Sequence, residues 1–357
     1  MIDLTPIDKR IQKKLFQKMH LLNRGTPGET VGGLTHNQLS VRSPFVRMTS
    51  DSKNPVILAG IEVSRFGLGS KLVKFAEKAN IPIATTLLSK SVIGETHPLY
   101  LGVYAGSTSQ EGVQAAVEGS DCLLMFGAML TDMTLSFMPS KFVKRNTVSC
   151  SIQGLKVKNH MYASVNFEDF CNKLFDEASI PTHSNKPSVV NTRSNKSFSP
   201  LAGTPITSKR LFDKIDSLLT KDMSVVADIG DSLFGAADLT MHHKNAFLGS
   251  AFYTSMGTSI PGALGAGFAR PDSRTIVIVG DGAFQMSCTE LSTIVANKLN
   301  PIIFILNNHG YTTERFLLDG DFNDIPDWNY HKFVDIIGGG KGAMVETESE
   351  LESVVDE

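Results

Sequence analysis

The sequence predicts an α/β fold built from two parallel-sheet domains, each with helices on both faces of its sheet. Three observations support this prediction. Short runs of consecutive apolar residues alternate with segments whose apolar residues recur at helical spacing. The apolar runs are continuous, which is typical of parallel strands that are buried on both faces. A polar segment rich in proline, serine and asparagine divides this pattern into two parts, and each part is long enough for a domain.

Composition and charge exclude several classes of function. The chain has 357 residues, with 34 lysine and arginine against 36 aspartate and glutamate residues, so its formal net charge is −2. A nearly neutral chain has no broad positive field, so neither nucleic acid nor a membrane is an expected partner. No stretch reaches the ~20 apolar residues that a membrane span requires. The four cysteines are scattered without a metal-binding spacing, which favours a reducing, cytoplasmic location.

The first part of the chain contains a lead-in segment and a central α/β domain. Residues 1–50 are expected to hold an amphipathic helix that starts at Thr5 and Pro6, which is favoured over an organelle-targeting helix, and then irregular chain. Residues 51–180 are predicted to form the central domain. Its predicted strands are Pro55–Gly60, Ile81–Leu87 and Asp121–Gly127, and its predicted helices are Lys71–Lys78 and Gly112–Glu118.

A linker and a second α/β domain follow. Residues 181–206 have few apolar side chains and several prolines that interrupt regular structure, so they are predicted to be the linker. Residues 207–357 are predicted to form the second domain, which starts with a helix at about Ser208–Thr220 and a strand at Ser224–Ala227. The glycines of 262–267 lie within a helical pattern, which favours close helix packing over dinucleotide binding.

Two further strands of the second domain end in polar residues that are suited to binding a metal ion. The predicted strand Thr275–Gly280 leads through Asp281 towards a helix predicted at about 287–299, and the next predicted strand, Pro301–Leu306, leads to Asn308. A right-handed β-α-β unit brings the carboxyl ends of its two parallel strands to the same edge of the sheet. We therefore expect Asp281 and Asn308 to lie close together.

Asp281, Asn308 and the backbone carbonyl of Gly310 would offer hard oxygen ligands to one Mg²⁺ ion. Since Mg²⁺ usually takes further ligands from phosphate groups and water, the inferred ligand is a diphosphate. The glycines beside Asp281 would let the diphosphate come close to the backbone, and the amino terminus of the following helix would offer amides to its negative charge. A lone Gly-Asp-Gly also fits a plain glycine turn, but its pairing with Asn-Asn at this spacing is typical of the thiamine diphosphate motif.

The residues around this motif resemble the thiamine-diphosphate-dependent 2-oxo acid decarboxylases of the pyruvate and indolepyruvate decarboxylase type. The resemblance is carried by the run GDGAFQMSCTELSTIVANKLNPIIFILNNHGYTTERFLLDGDFNDIPDWNY, by ADIGDSLFG at 227–235 and by FYTSMG at 252–257. Residues 51–180 are similar to the family's central domain, so the likeness extends over nearly all of 51–357. It implies a thiamine diphosphate cofactor with Mg²⁺ and the conversion of a 2-oxo acid to an aldehyde and carbon dioxide.

The resemblance also implies roles for individual residues. Met256 would support the cofactor from below, the Thr254 carbonyl would accept a hydrogen bond from its aminopyrimidine, and Glu314 would act as a catalytic group near the substrate carboxylate. The Mg²⁺ ligands would be Asp281, Asn308 and Gly310. The full set implied to contact the cofactor is Asp231, Ser232, Thr254, Ser255, Met256, Gly280, Asp281, Gly282, Ala283, Asn308, Gly310 and Tyr311.

In this family the glutamate that activates the cofactor lies on an amino-terminal domain of a partner subunit. We expect that domain to be absent here, because both ends of the sequence resemble truncations, and the pair His242-His243 lies in the wrong domain to replace it. A homo-oligomer, or a complex with a separately encoded pyrimidine-binding domain, is therefore expected. Three functions stay open: a 2-oxo acid decarboxylase, which the GYTTER stretch around Glu314 favours, a non-catalytic remnant or interaction protein, and a carboligase similar to acetolactate synthase.

Overall fold

The computed structural model describes residues 45–135, 146–176, 180–184 and 198–356. They belong to one compact unit, Pro44–Glu357, which contains two separate β-sheets. Two sheets with parallel strands and surrounding helices confirm the predicted α/β class. The predicted lead-in helix and half of the predicted linker, residues 185–197, lie outside the described residues, so the domain boundaries stay a prediction. In the described ranges no helix is long and apolar enough to cross a membrane.

The first sheet is parallel in its centre and antiparallel at one edge. Its strands are β1 Pro55–Ala59, β2 Ile83–Thr86, β3 Tyr100–Tyr104, β4 Cys122–Phe126, β5 Thr147–Ser151, β6 Gly154–Val157 and β7 His160–Tyr162. Their order is β3-β2-β1-β4-β5-β6-β7, and only the pairs β5–β6 and β6–β7 are antiparallel. The central strands β1 and β4 are buried along their whole length. The apolar pattern predicts β1, β2 and β4 but misses the others, which are short or interrupted by glycine and polar residues.

Amphipathic helices pack around this sheet. They are Ile61–Arg65, Gly69–Ala79, Glu111–Glu118, Asp132–Leu135 and Phe167–Phe175, and residues 45–51 are also helical. In the second of these, Leu72 and Phe75 recur on one face and are buried, as the sequence pattern predicts. That helix ends at Asn80, whose left-handed backbone stops the helical pattern. Phe75 packs against Phe175, with ring centroids 5.3 Å apart.

The second sheet is entirely parallel. It consists of β8 Met223–Ala227, β9 Phe247–Gly249, β10 Arg274–Gly280 and β11 Ile302–Leu306, in the order β11-β10-β8-β9. Residues 275–279 of β10 are buried. Strands β10 and β11 are neighbours with Gly280 opposite Leu306, so the residues that follow the two strands emerge side by side.

The helices of the second part differ from the prediction at one point. They are Ser208–Leu218, Asp231–Ala236, Ser259–Ala269, Asp281–Ser287, Glu290–Ala296, Thr312–Arg315, Phe333–Ile337 and Glu348–Asp356. The single helix predicted at about 287–299 is wrong in its bounds. A helix starts directly at Asp281, because the extended backbone of Gly280 caps it. A second helix follows a break at 288–289, where the Leu291 amide bonds to a carbonyl only three residues back.

Helix Glu348–Asp356 is anchored to helix Ser208–Leu218 by an ion pair between the half-buried Arg210 and the buried Glu348. Glu348 is 1% exposed, and its two carboxylate oxygens accept hydrogen bonds from the Arg210 guanidinium at 2.8 and 2.6 Å. The Leu201 amide donates to the same carboxylate at 2.9 Å. The Arg210 side chain, and then the Leu201 amide, lower the pKa of Glu348 to about 2.

Glu348→Gln should lower the free energy of unfolding, and this loss should shrink in acid. The ionised carboxylate is the form that Arg210 stabilises, so its contribution is fully present above the usual pKa of 4.5 and is lost as the pH falls towards about 2. Urea unfolding of the wild type and the variant at about pH 7, 5 and 3 would measure the difference. An equal difference in unfolding free energy at pH 7 and pH 3 would contradict this prediction.

Candidate active site

Asp281 lies at the carboxyl end of β10 and links it to the loop that follows β11. The side chain is 3% exposed. Its Oδ1 accepts a hydrogen bond from the Gly282 amide at 2.7 Å, and its Oδ2 accepts one from the Gly310 amide at 3.1 Å. The two strand ends that the sequence predicts to be neighbours are therefore in direct contact at this carboxylate.

Burial makes the Asp281 carboxylate a favourable place for a cation. Desolvation raises its pKa above 3.8, and the backbone hydrogen bonds from Gly282, Gly310 and His309 offset only part of that effect. A buried carboxylate that its hydrogen bonds do not fully compensate gains from a nearby positive charge. Among the described residues no three His, Cys, Asp or Glu side chains form a metal-binding group. The predicted Mg²⁺ ligands are one carboxylate, one side-chain amide oxygen and one backbone carbonyl oxygen. A set with a single carboxylate is not a group of that kind.

Asn308 joins the loop after β11 to the loop after β8. Its side chain is exposed, and its Nδ2 donates to the Thr312 hydroxyl at 2.7 Å and to Oδ2 of Asp231 at 3.2 Å. Both hydrogen bonds use the amide nitrogen, so neither engages the amide oxygen. Asp231, Asn308 and Thr312 therefore form one polar cluster at the carboxyl edge of the sheet.

The loop from Gly310 to Arg315 is docked on the segment that follows it. The Tyr311 amide donates to the Asn323 carbonyl at 2.9 Å, and a side chain at Gly310 would lie 2.3 Å from the same carbonyl oxygen. The Gly310 carbonyl accepts a hydrogen bond from the Thr312 amide at 3.1 Å, which leaves its second lone pair for another partner. Arg315 pairs with Asp319 and Asp324.

Glu314 lies on the short helix Thr312–Arg315, directly after this loop. Its side chain is exposed, and its backbone amide donates to the Tyr311 carbonyl at 3.1 Å. The predicted catalytic glutamate is thus held by its backbone near Gly310, while its carboxyl group faces solvent.

The two glycines beside Asp281 have different surroundings. A side chain at Gly282 would lie 2.4 Å from Ile325 Cδ1 and 2.5 Å from Tyr311 Cε1, so a larger residue there would have to displace both side chains. A side chain at Gly280 would meet nothing within 4 Å. The open space that a ligand could approach therefore lies at Gly280, whereas Gly282 is covered by Tyr311.

The helix Asp231–Ala236 places a buried, unpaired hydroxyl at the same edge. It follows Gly230, whose φ of 79° is the left-handed conformation that favours glycine. Ser232 is 1% exposed, and its Oγ has no hydrogen-bond partner within the described part of the chain. Because a buried hydroxyl normally has a partner, the Ser232 hydroxyl is available for a ligand.

Asp228 is a structural residue of the site that the sequence pattern does not predict. It is fully buried, and its carboxylate accepts hydrogen bonds from the amides of Ile229, Gly257 and Ser259 at 3.0, 3.1 and 2.9 Å. It therefore joins the loop after β8 to the loop that carries Met256. One sequence signal could have identified it: Asp228 directly follows an apolar strand. A carboxylate that is buried at such a position needs hydrogen-bond partners, so a structural role could have been expected.

The loop 254–257 lies beside the helix that begins at Asp281. Thr254 has a φ of 61°, which is uncommon for a β-branched residue, and Ser255 is exposed. Met256 is half-buried against the apolar cluster that includes Phe284. A side chain at Gly257 would lie 3.5 Å from the Ala283 carbonyl oxygen. The predicted cofactor contacts therefore lie in three neighbouring loops and at the start of the helix Asp281–Ser287.

His243 lies at the other end of this sheet. Its Nε2 is 3.1 Å from the carbonyl oxygen of Met223, the first residue of β8, and its Nδ1 is 2.7 Å from the Arg270 guanidinium. The carboxyl end of β8, where Asp228 and Asp231 follow, is on the opposite side. The histidine pair is thus remote from the candidate site.

Two family models match the chain. The model for the central domain of thiamine pyrophosphate enzymes matches residues 44–172, and the model for their C-terminal, thiamine-pyrophosphate-binding domain matches residues 228–357. The chain belongs to the thiamine pyrophosphate enzyme family. The second match contains every residue of the site described above, including Asp281 and Asn308. Thiamine pyrophosphate is the same compound as thiamine diphosphate, so the match agrees with the predicted cofactor.

Several curated members of this family are similar to the chain. An alpha-keto-acid decarboxylase of Mycobacterium tuberculosis is 32% identical over 285 residues, which are 79% of this chain and 51% of the relative. Pyruvate decarboxylase isozyme 1 of Saccharomyces cerevisiae is 29% identical over 309 residues, covering 85% and 55%. Isozyme 2 from the same yeast is 31% identical over 300 residues, covering 82% and 53%. The chain thus spans about half the length of the curated relatives it matches.

Proposed function

We propose that the chain binds thiamine diphosphate together with Mg²⁺ and serves in the non-oxidative decarboxylation of a 2-oxo acid to an aldehyde. The observation that carries this proposal is the buried Asp281 carboxylate, which the Gly310 amide contacts at the meeting point of two strand ends. It lies within the segment that matches the thiamine-pyrophosphate-binding domain. The matched relatives are named decarboxylases of alpha-keto acids or pyruvate, which supports the proposed reaction class.

The donor set supports Mg²⁺ and a diphosphate as ligands. Asp281 and the oxygens of Asn308 and Gly310 are hard ligands of the type that Mg²⁺ prefers, and Asp231 would orient Asn308 by accepting its amide hydrogen. The unpaired hydroxyl of Ser232 would donate to a phosphate oxygen. Open space beside Gly280 leaves room for the diphosphate.

The chain's own residues would position the cofactor and move a proton. When bound, thiamine diphosphate supplies the electron sink for the loss of carbon dioxide from a 2-oxo acid. Met256 would support the cofactor, and the backbone of Thr254 would bind its aminopyrimidine. Glu314 would hold a proton near the substrate carboxylate and deliver it before the aldehyde leaves. Its exposure favours a site that a second surface closes, because proton transfer of this kind is more efficient when water is excluded.

We further propose that a second protein surface completes the site, either another copy in a homo-oligomer or a pyrimidine-binding domain. Large apolar side chains next to Glu314 support this, since Phe316 and Leu317 are 87% and 80% exposed. Tyr253, beside Thr254, is 82% exposed. Exposed apolar side chains concentrated around a site commonly mark a surface that another protein covers.

Calorimetric titration of the purified chain with thiamine diphosphate tests the proposal. We expect binding in the presence of Mg²⁺ and little or none after the metal is removed with EDTA, because the diphosphate would be held mainly through the ion. Release of carbon dioxide from pyruvate, indolepyruvate, phenylpyruvate and branched-chain 2-oxo acids would then be measured on the loaded protein. Binding of equal strength with and without Mg²⁺ would refute the metal assignment. Binding without turnover by the chain alone is expected if a separate pyrimidine-binding domain completes the site, so the non-catalytic alternative is favoured only if turnover stays absent after such a domain is added.

A further inference from the structure

A buried polar cluster joins the first sheet to the segment 237–249, away from the candidate site. This segment continues the helix Asp231–Ala236 and leads through β9 to the loop that carries Met256. It therefore connects two of the three loops that form the site. How it is held determines where both loops lie.

Glu95 holds this segment by its backbone and by its side chain. The Glu95 amide donates to the Met241 carbonyl at 2.9 Å, and Oε2 of Glu95 accepts from the Met241 amide at 3.0 Å. The other carboxylate oxygen, Oε1, accepts from the Ser91 amide and the Tyr100 hydroxyl, each at 3.1 Å. The carboxylate is thus shared between the first sheet's own loop and the connecting segment.

Lys90 and Ser91 extend the same attachment in both directions along the segment. The Lys90 ammonium binds the Glu95 carboxylate at 2.7 Å and donates to the Leu239 carbonyl at 2.6 Å. The Ser91 carbonyl accepts from the Asn245 amide at 2.6 Å, and its hydroxyl accepts from the Phe247 amide at 2.9 Å. Four backbone positions of the segment, at 239, 241, 245 and 247, are therefore bound by three residues of one loop.

Burial makes this attachment specific in geometry. Lys90 and Glu95 are 4% and 2% exposed, so each charge depends on the other and on these backbone groups. The cavity beside the pair measures about 30 Å³, which admits a water molecule and excludes any substrate-sized ligand. The cluster is therefore suited to holding the segment 237–249 in place, and it has no room for a substrate-sized ligand.

We propose that Glu95, with Lys90 and Ser91, is a positioning residue for the cofactor: it sets the segment 237–249 so that Ser232 and Met256 lie at the spacing the cofactor needs. This inference rests on the proposed function. It predicts that weakening the cluster lowers cofactor affinity although none of its residues touches the site. Substitution of groups that hold metal ligands directly typically lowers affinity by 10–100-fold, and Glu95 acts through a longer connection, so we expect an effect at the lower end of that range.

Glu95→Gln tests the proposal, with Glu348→Gln as the matched control. Both variants replace a buried carboxylate that binds a cationic side chain and a backbone amide, but Glu348 holds the carboxyl-terminal helix. At a temperature where both variants are folded, we expect Glu95→Gln to raise the thiamine diphosphate Kd on the order of tenfold. It should also speed amide hydrogen exchange in 239–249 and shift the ³¹P signal of the bound diphosphate. The control should lower stability and change none of these three quantities.

A milder variant keeps the test informative if Glu95→Gln does not fold. Ser91→Ala removes only the hydroxyl that accepts the Phe247 amide, so the same changes should appear with smaller size. An unchanged Kd in Glu95→Gln would overturn the proposal, whether or not exchange in 239–249 becomes faster, and so would an equal loss of affinity in the control. If the wild type binds no cofactor, the proposed function fails, and faster exchange in 239–249 still decides whether Glu95 holds the segment.

Discussion

Asp281→Ala should abolish measurable binding of thiamine diphosphate with Mg²⁺ while the protein remains folded. The variant removes the one charged ligand of the proposed Mg²⁺ site and the acceptor of the Gly310 amide. We expect the Kd to rise at least about 100-fold, because changing groups that only orient metal ligands already costs 10–100-fold. Calorimetric titration at fixed Mg²⁺, with circular dichroism to confirm folding, measures the effect.

A second variant separates the loss of the metal ligand from the loss of hydrogen bonding. Asp281→Asn keeps an oxygen that can accept an amide hydrogen bond but removes the negative charge, so its affinity should fall nearly as far as that of Asp281→Ala. Asp335→Asn, which removes an exposed charge from the same part of the chain, is the control and should bind like the wild type. Wild-type affinity in Asp281→Asn would mean that the carboxylate charge does not hold the ion.

Asp228→Ala should cause the largest loss of stability among substitutions near the site. Three backbone amides, those of Ile229, Gly257 and Ser259, would lose the acceptor that a fully buried carboxylate provides. A buried donor left unpaired costs roughly 1–3 kcal/mol, so we expect the free energy of unfolding to fall by at least about 3 kcal/mol. Urea unfolding followed by circular dichroism measures this quantity.

The matched control for Asp228 lies at the other end of the same strand. Asp222 precedes β8 and is exposed, so Asp222→Ala should change the free energy of unfolding by no more than about 0.5 kcal/mol. Cofactor affinity should also fall in Asp228→Ala, because this carboxylate joins the loop after β8 to the loop that carries Met256. Equal stability of the two variants would contradict the role given to the Asp228 hydrogen bonds.

Continuous apolar runs predicted the central strands of both sheets, because strands that are buried on both faces leave an unmistakable pattern. The short strands β5 and β7 carry polar residues and depend on pairing with a neighbour, so no local pattern reveals them. The bounds of the helix predicted at about 287–299 were wrong for a related reason. The first helix starts where it does because of the backbone conformation of Gly280. The break at 288–289 is marked by hydrogen bonds from amides to carbonyls only three residues back. The spacing of apolar residues reveals neither feature.

The sequence by itself determined the α/β class, the two successive groups of strands and the placement of Asp281 and Asn308 after neighbouring strands. These properties follow from local patterns and from the handedness of β-α-β units, which hold wherever the strands occur. Only the tertiary structure decided which groups those strand ends contact, how Asp228 joins two loops, and that Glu95 binds the segment 237–249. The contacts between different loops join residues that are tens or more than a hundred positions apart, so they depend on the packing of whole elements and leave no signal in local spacing.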